Sequence, residues 1–360
     1  MNSQMNGPIH ITVMHEFYTP QHLKALYECG TDYDLIMDDY IVISTRKIIK
    51  EMIENIRNRR GIVPAIKTAI SRFLRRFKIY FLKSKVVIVG IAPYSSLMNK
   101  YKKIFANNVS FYFTSCEIWD GSECSTGKLS NRAAFEKILR ENFRGIACVS
   151  QKTSDEIGFM GLPRAVVNHS INVASYHKKQ AFNCKHREFI FFGQYIERKG
   201  IDFILRWFDE NQEENIGITF YGAGPLKDDI LRFAKRDPRV KEKGFLSQNE
   251  LREHLNEFYF SLLPTRREPF GMSIIEAMAS GLPTLASDVI GPSEIIKDSE
   301  DGFLFKCNDY LAFCEKMDQI LGLSEDAYRE ICNRAMQSAW KYDASEIVKR
   351  WNILMRENIR

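Results

Sequence analysis

Apolar residues along this chain fall into short continuous runs, separated by longer stretches in which they recur at helical spacing. In the first half, Ile9 to Met14, Leu35 to Ile36 with Ile41 to Ile43, Val86 to Val89, Val109 to Phe113 and Ile146 to Val149 read as strands. The stretches at about 46–58, 64–83, 95–105, 130–142 and 152–160 read as helices between them. The second half repeats the rhythm more cleanly. Phe189 to Phe192, Ile218 to Tyr221, Val240 to Lys243, Phe258 to Leu262 and Thr284 to Ala286 read as strands. They alternate with helices at Ile201 to Phe208, Leu226 to Ala234, Gln248 to Leu255 and Ser273 to Ala279. Strands that are apolar on both faces and alternate with helices predict parallel sheets covered on both sides.

A polar stretch without periodicity, Ala174 to Arg187, reads as the linker between the halves. Glu325 to Asn358 reads as helical, with Trp340, Trp351, Leu354 and Met355 as its packing residues. The expected organisation is an α/β chain of two doubly wound, Rossmann-like domains facing a central cleft. These are an N-terminal domain over residues 1–173, a C-terminal domain over 174–340, and a terminal helix over 341–360 that packs back on the first domain. In such domains ligands sit beyond the carboxyl ends of the strands, so the chemistry is expected on the loops that follow them.

Length agrees with two lobes, since 360 residues exceed one ordinary domain. The longest apolar run, Val86 to Ala92, is far shorter than the roughly 20 residues of a bilayer-crossing helix. Met1 to His10 lacks the basic-then-apolar pattern of a secretory leader, and the eight cysteines include no CxxC pair. Both point to a cytoplasmic protein with reduced thiols.

Charge changes the picture in one place. Arg46 to Lys85 carries thirteen basic residues against Glu51 and Glu54, a local charge of +11 within a chain of net +6. Within it Ile66, Ile70, Phe73, Leu74, Phe77 and Phe81 take one helical face, while Lys67, Arg72, Arg75, Arg76 and Lys78 take the other. Two placements fit this basic amphipathic helix. Either Arg72, Phe73, Arg75, Arg76 and Phe77 face an anionic membrane surface, at its inner, cytoplasmic side, or the aromatic face packs on its own lobe. No RNA-binding aromatic motif accompanies the charge, so nucleic acid is not an expected partner.

Three loops of the second half have the composition of an anion site. Gly193 to Gly200 follows a strand and ends Arg198-Lys199-Gly200, two cations at a helix mouth suited to a diphosphate. Gly222-Ala223-Gly224-Pro225 is a tight strand-to-helix turn that lacks the third glycine of a dinucleotide fingerprint. Glu268-Pro269-Phe270-Gly271-Met272-Ser273 leads into a helix whose first N–H groups have no partner of their own. Glu268 and Glu276 lie eight positions apart, one at the helix mouth and one within it, suited to two parts of an extended ligand. Asp38-Asp39 and Asp228-Asp229 read as solvated pairs rather than metal ligands.

With these loops and Gly244-Phe245-Leu246 in this order, the second half resembles the nucleotide-sugar domain of the family 4 retaining glycosyltransferases of the GT-B fold. The shared marks are a Glu-x7-Glu motif over Glu268 to Pro283, a glycine-to-Lys-Gly loop, a G-x-G-P turn and a Gly-aromatic-Leu segment. The resemblance implies retaining transfer of a sugar from a UDP- or GDP-linked donor to a glycan or lipid-linked acceptor. It implies no cofactor and no obligatory metal. Lys199 and Arg198 would hold the diphosphate, with Gly193 and Gly224 lining it, and Phe245 and Leu246 would meet the base. Glu276 would bind the ribose and Glu268 the transferred sugar. Phe270, Gly271, Met272 and Ser273 would line the sugar and phosphate through backbone N–H groups. Glu268 and Lys199 are the catalytic candidates.

The first half departs from the family, with His15-Glu16-Phe17 where a glycine pair would follow the first strand. His15, Cys116 and Glu117 are therefore the candidates to face the acceptor side. A second reading keeps the fold and drops the catalysis. In it a nucleotide-sugar-binding or scaffold protein acts through the basic helix, as Gln194 in the phosphate loop would suit.

Overall fold

The computed structural model describes residues 7–15, 24–42, 48–49, 52–53, 62–75, 82, 86–91, 96–114, 132–179 and 187–359. The chain forms two compact units, one of Met1–Ser170 with Ala344–Arg360 and the other of Ile171–Asp343.

The first unit is built on β1 (Ile9–His15), α1 (Lys24–Cys29), β2 (Leu35–Val42), α2 (Ile62–Arg75), β3 (Val86–Gly90) and α3 (Ser96–Ala106). It continues with β4 (Val109–Thr114), α4 (Arg132–Asn142), β5 (Phe143–Cys148), α5 (Gln151–Glu156) and β6 (Arg164–Val166). The six strands form a parallel sheet in the order β2-β1-β3-β4-β5-β6. Adjacent residues of a strand point to opposite faces, so Val87 and Val89 join one core while Val86 and Ile88 join the other. This double burial is why β3 is apolar without alternation.

The second unit comprises β7 (Arg187–Gln194), α6 (Ile201–Glu210), β8 (Ile216–Ala223), α7 (Lys227–Arg236), β9 (Val240–Glu242), α8 (Gln248–His254) and β10 (Ser261–Leu263). After these come α9 (Met272–Ala279), β11 (Thr284–Ser287), α10 (Ile290–Ile295), β12 (Phe303–Phe305), α11 (Tyr310–Leu321) and α12 (Glu325–Ala339). Its parallel sheet has the order β12-β11-β10-β7-β8-β9, so the winding reverses between β7 and β10. A final helix, α13 (Ala344–Asn358), belongs to the first unit, where Trp351 meets Phe113 at 5.8 Å and Arg356 donates to the Tyr33 carbonyl at 3.0 Å.

Three details differ from the sequence reading. The second unit is wider than 174–340, because Ile171 bridges Asp343 and the Val173 N–H donates to the Asp343 carboxylate at 2.9 Å. The described part of the expected linker is not a free tether. Lys179 is buried and donates to the carbonyls of Asn256 and Phe258 at 2.7 and 2.6 Å, which stitches it to the second unit. The long terminal helix is two helices, and Trp340, expected in the packing, lies half-exposed at the break between them.

Candidate active site

The switch point between β7 and β10 is where an open α/β sheet leaves room for a ligand, because the helices that follow the two strands cross to opposite faces. The loops that leave these strands are the two that carry the candidate cations and Glu268. They are zipped together over their length. Arg266 N–H donates to the Arg198 carbonyl at 2.8 Å, and Thr265 Oγ1 donates to the same oxygen at 3.0 Å. Arg266 also bridges back to Asp202 at 2.6 Å. Gly200 is obligatory here. Its φ is +68°, and a Cβ there would stand 1.8 Å from the Pro264 carbonyl oxygen.

This zipper brings Lys199 Nζ onto Glu268 Oε2, with the two side chains only 12 and 13% exposed. Arg198 turns its guanidinium onto the Arg267 carbonyl and lies 3.8 Å from the same carboxylate. Glu268 immediately precedes Pro269 and the α9 mouth. Gly271 caps that helix with a φ of +107°, and its carbonyl accepts the Ile274 N–H at 2.9 Å. Gly271, Met272 and Ser273 thus precede the first intrahelical donor, so no bond of the helix itself uses their N–H groups. The Phe270 side chain is buried against Tyr342, at 5.7 Å between ring centres, which leaves its backbone as the part near the helix mouth.

Glu276 faces a different neighbourhood from Glu268. It is 7% exposed, and its Oε1 accepts from Gln248 Nε2 at 3.2 Å and from the Tyr176 hydroxyl at 3.4 Å. Burial and the Glu276 charge push the Tyr176 phenol up, so it stays protonated and donates. Gln248 opens α8 just beyond Gly244-Phe245-Leu246, which places Glu276 toward that segment.

The glycine turns converge as well. Gly193 and Gly222 are register partners, Gly222 N–H donates to the Gly244 carbonyl at 2.7 Å, and a Cβ on Gly222 would stand 1.9 Å from the Gly193 oxygen. Gly224 is exposed beyond this contact, and Phe245 projects with 71% exposure. Leu246 is half-buried beside it.

The donor-side candidates therefore fall around the carboxyl ends of β7, β8, β9 and β10, on the strand ends, the loops that follow them and the helix α9. The acceptor-side candidates do not form such a group. His15 ends β1 in register with Gly90, and Cys116 and Glu117 lie outside the described residues. Of the membrane-facing candidates, Arg72 and Phe73 lie on α2, Arg75 ends that helix, and Arg76 and Phe77 lie outside the described residues. On α2 the small Ala65 is buried, whereas Val63, Ile66, Ile70, Phe73 and Leu74 are exposed. Among the described residues no group of three His, Cys, Asp or Glu is arranged to hold a metal ion, and no helix is long and apolar enough to cross a membrane.

Tyr176, Gln248, Thr265, Tyr195 and Glu242 were not expected at the site. Each acts through a long-range contact that no local spacing announces.

The family model for glycosyl transferases group 1 matches residues 172–338, nearly the whole second unit. An uncharacterized glycosyltransferase of Methanocaldococcus jannaschii is 26% identical over 194 residues, which cover 53% of this chain and 53% of that protein. The chain spans about half, or less, of the length of the curated relatives it matches first. Among solved structures, sucrose-phosphate synthase from Thermosynechococcus elongatus superposes with a TM-score of 0.72 at 14% identity, covering 97% of this chain and 98% of that one. Anabaena HepE in complex with UDP-glucose superposes with a TM-score of 0.72 at 11% identity, covering 97% and 100%.

Proposed function

We propose that the protein is a retaining glycosyltransferase, on the match of its second unit to the family model for glycosyl transferases group 1 and on its GT-B fold of two Rossmann-like sheets. It takes a UDP- or GDP-linked sugar and passes the sugar to a glycan or lipid-linked acceptor, without an obligatory metal. The observation that carries the reading is the Lys199–Glu268 pair at the mouth of α9.

Breaking the anomeric bond leaves negative charge on the departing diphosphate. Lys199 and the N–H groups of Gly271, Met272 and Ser273 stabilise that charge as it grows, and they are preorganised by the loop zipper. Glu268, at the same mouth, accepts from hydroxyls of the transferred sugar. Glu276, held by Gln248 and Tyr176, accepts from the ribose. Attack from the face of the leaving group gives retention of configuration. HepE, the neighbour whose structure contains UDP-glucose, supports a UDP-linked donor.

The protein works at an anionic membrane surface through α2. Its exposed stripe of Val63, Ile66, Ile70, Phe73 and Leu74 is a larger apolar patch than a solvated helix needs, and Lys67 lies beside it within a segment of charge +11.

The test follows release of UDP or GDP from a panel of donor sugars, with and without a metal chelator. Glu268→Ala and Lys199→Ala each lower turnover by at least about a hundredfold, the scale of one lost transition-state contact, and the chelator leaves the wild-type rate unaltered. Undiminished turnover in both variants refutes the site.

A further inference from the structure

We infer that Tyr195 and Glu242 are positioning residues for the donor base, a buried pair that couples the turn under the base to the loop under the phosphates. The inference rests on the donor reading above.

Tyr195 lies inside the phosphate loop, two residues past Gly193, and is wholly buried against Phe191 and Phe220, at 6.1 and 6.4 Å between ring centres. Nothing about diphosphate binding requires a tyrosine there, and packing alone would be served by phenylalanine. Its hydroxyl instead donates to Glu242 Oε1 at 3.3 Å. The same oxygen accepts the Gly244 N–H at 3.0 Å, while Oε2 lies 3.6 Å from Lys227 Nζ. The Glu242 side chain is 6% exposed. A carboxylate withdrawn from water this far is held only where donors surround it, and here the donors come from three separate segments.

Those segments are the ones that surround the donor. Tyr195 N–H donates to the Ala223 carbonyl at 2.9 Å, and the Leu226 N–H donates to the Tyr195 carbonyl at 3.1 Å, tying the phosphate loop to the Gly222–Pro225 turn. Gly244, whose φ is +77°, gives its carbonyl to Gly222 and its N–H to Glu242. Both polar backbone groups of Gly244 are therefore committed inward. The turn at Phe245 and Leu246 is left at a fixed height beside the phosphate loop. Burial and the Glu242 charge push the Tyr195 phenol up, so it remains the donor across the working range of pH.

A pair with this role affects the base and leaves the phosphates alone. The experiment is calorimetric titration of the full chain with UDP, GDP and inorganic pyrophosphate, in wild type, Tyr195→Phe, Glu242→Gln and Glu242→Ala. Tyr195→Phe removes one oxygen and no ring contact. It raises Kd for the preferred nucleoside diphosphate about three- to tenfold, the scale of one typical hydrogen bond, and leaves pyrophosphate unchanged within about twofold. Glu242→Gln keeps an acceptor for the Gly244 N–H and falls between wild type and Glu242→Ala. In turnover the donor KM rises in the same ratio while kcat holds.

Equal losses for nucleotide and pyrophosphate would mean general loosening and overturn the inference, as would unaltered nucleotide binding in Tyr195→Phe. Should Glu242→Ala fail to fold, Tyr195→Phe and Glu242→Gln carry the comparison. A wild-type protein that binds no nucleoside diphosphate overturns the donor reading itself, whereas normal wild-type binding with indifferent variants overturns this inference alone.

Discussion

Removing the carboxylate proposed to grip the sugar should tighten the grip on the diphosphate. Lys199 is neutralised by Glu268, and each side chain keeps about an eighth of its surface in water. A diphosphate that enters must draw Lys199 away from this partner, or share it, so part of its gain is cancelled. Glu268→Gln removes the competing charge and keeps the shape. Exposed ion pairs are worth up to about 1 kcal/mol, and breaking a fully buried one costs about 3 to 5 kcal/mol. A pair this sheltered lies between, at about 1 to 2 kcal/mol, which is about five- to thirtyfold in affinity.

Titration of UDP, GDP and pyrophosphate into wild type and Glu268→Gln measures this directly, while glycosyl transfer by the same variant falls. A simpler explanation, relief of repulsion between Glu268 and the phosphates, predicts the same sign. The double-mutant cycle separates them. In a Lys199→Ala background, Glu268→Gln keeps its full benefit if repulsion is the cause and loses most of it if Lys199 is being released. Affinity for diphosphate that is unchanged or weaker in Glu268→Gln refutes the reasoning, since the pair would then not be in competition with ligand.

Ile70→Asp with Leu74→Asp, two exposed positions on α2, should abolish flotation with phosphatidylglycerol vesicles while leaving the thermal midpoint and the hydrolysis of a soluble donor unchanged; flotation equal to wild type would refute the docking face. Gly200→Ala should cost at least about 3 kcal/mol in denaturant unfolding, because both its φ and the Pro264 oxygen exclude a side chain. Asp237 has its carboxyl held below the usual range by Arg239, which also donates to the Phe208 carbonyl at 2.6 Å. A depressed carboxyl stabilises the fold above its unfolded value and loses that contribution as pH falls through the folded value. Asp237→Asn should therefore flatten the acid limb of the stability curve below about pH 4, with a matching change in Tm against pH. An acid limb as steep as that of wild type would refute it.

The sheets were readable in advance where burial on both faces forces an unbroken apolar run, as in Val86 to Val89 and Phe189 to Phe192. They were not readable at β6, which opens on Arg164 and is buried on neither face, nor at β12, a Phe-Leu-Phe run isolated in a polar stretch. The break between α12 and α13 had no glycine or proline to announce it. Its cause is distant, since Asp343 leaves the helix to accept the Val173 N–H and pair with Ile171. The same division holds at the site. Lys199, Glu268 and Glu276 stand in local patterns of loop and helix mouth. Their supports do not, because Tyr176 reaches Glu276 across 100 residues and Tyr195 reaches Glu242 across 47.

The meeting of Lys199 and Glu268 follows from sheet register rather than from either loop alone. Ile190 and Ser261 are the paired residues of β7 and β10, and Lys199 lies nine residues beyond the first while Glu268 lies seven beyond the second. Both loops leave the sheet at its centre, where the winding order reverses and no crossover helix fills the space. A slip of one residue in that pairing would turn the side chains of β10 to the opposite face and carry Thr265 away from the Arg198 carbonyl. The buried, two-sided β7 makes such a slip prohibitive. The residues that keep the charge pair in place are thus the apolar ones of the strands beneath it, and the chemistry at the loop ends is only as well positioned as that core is packed.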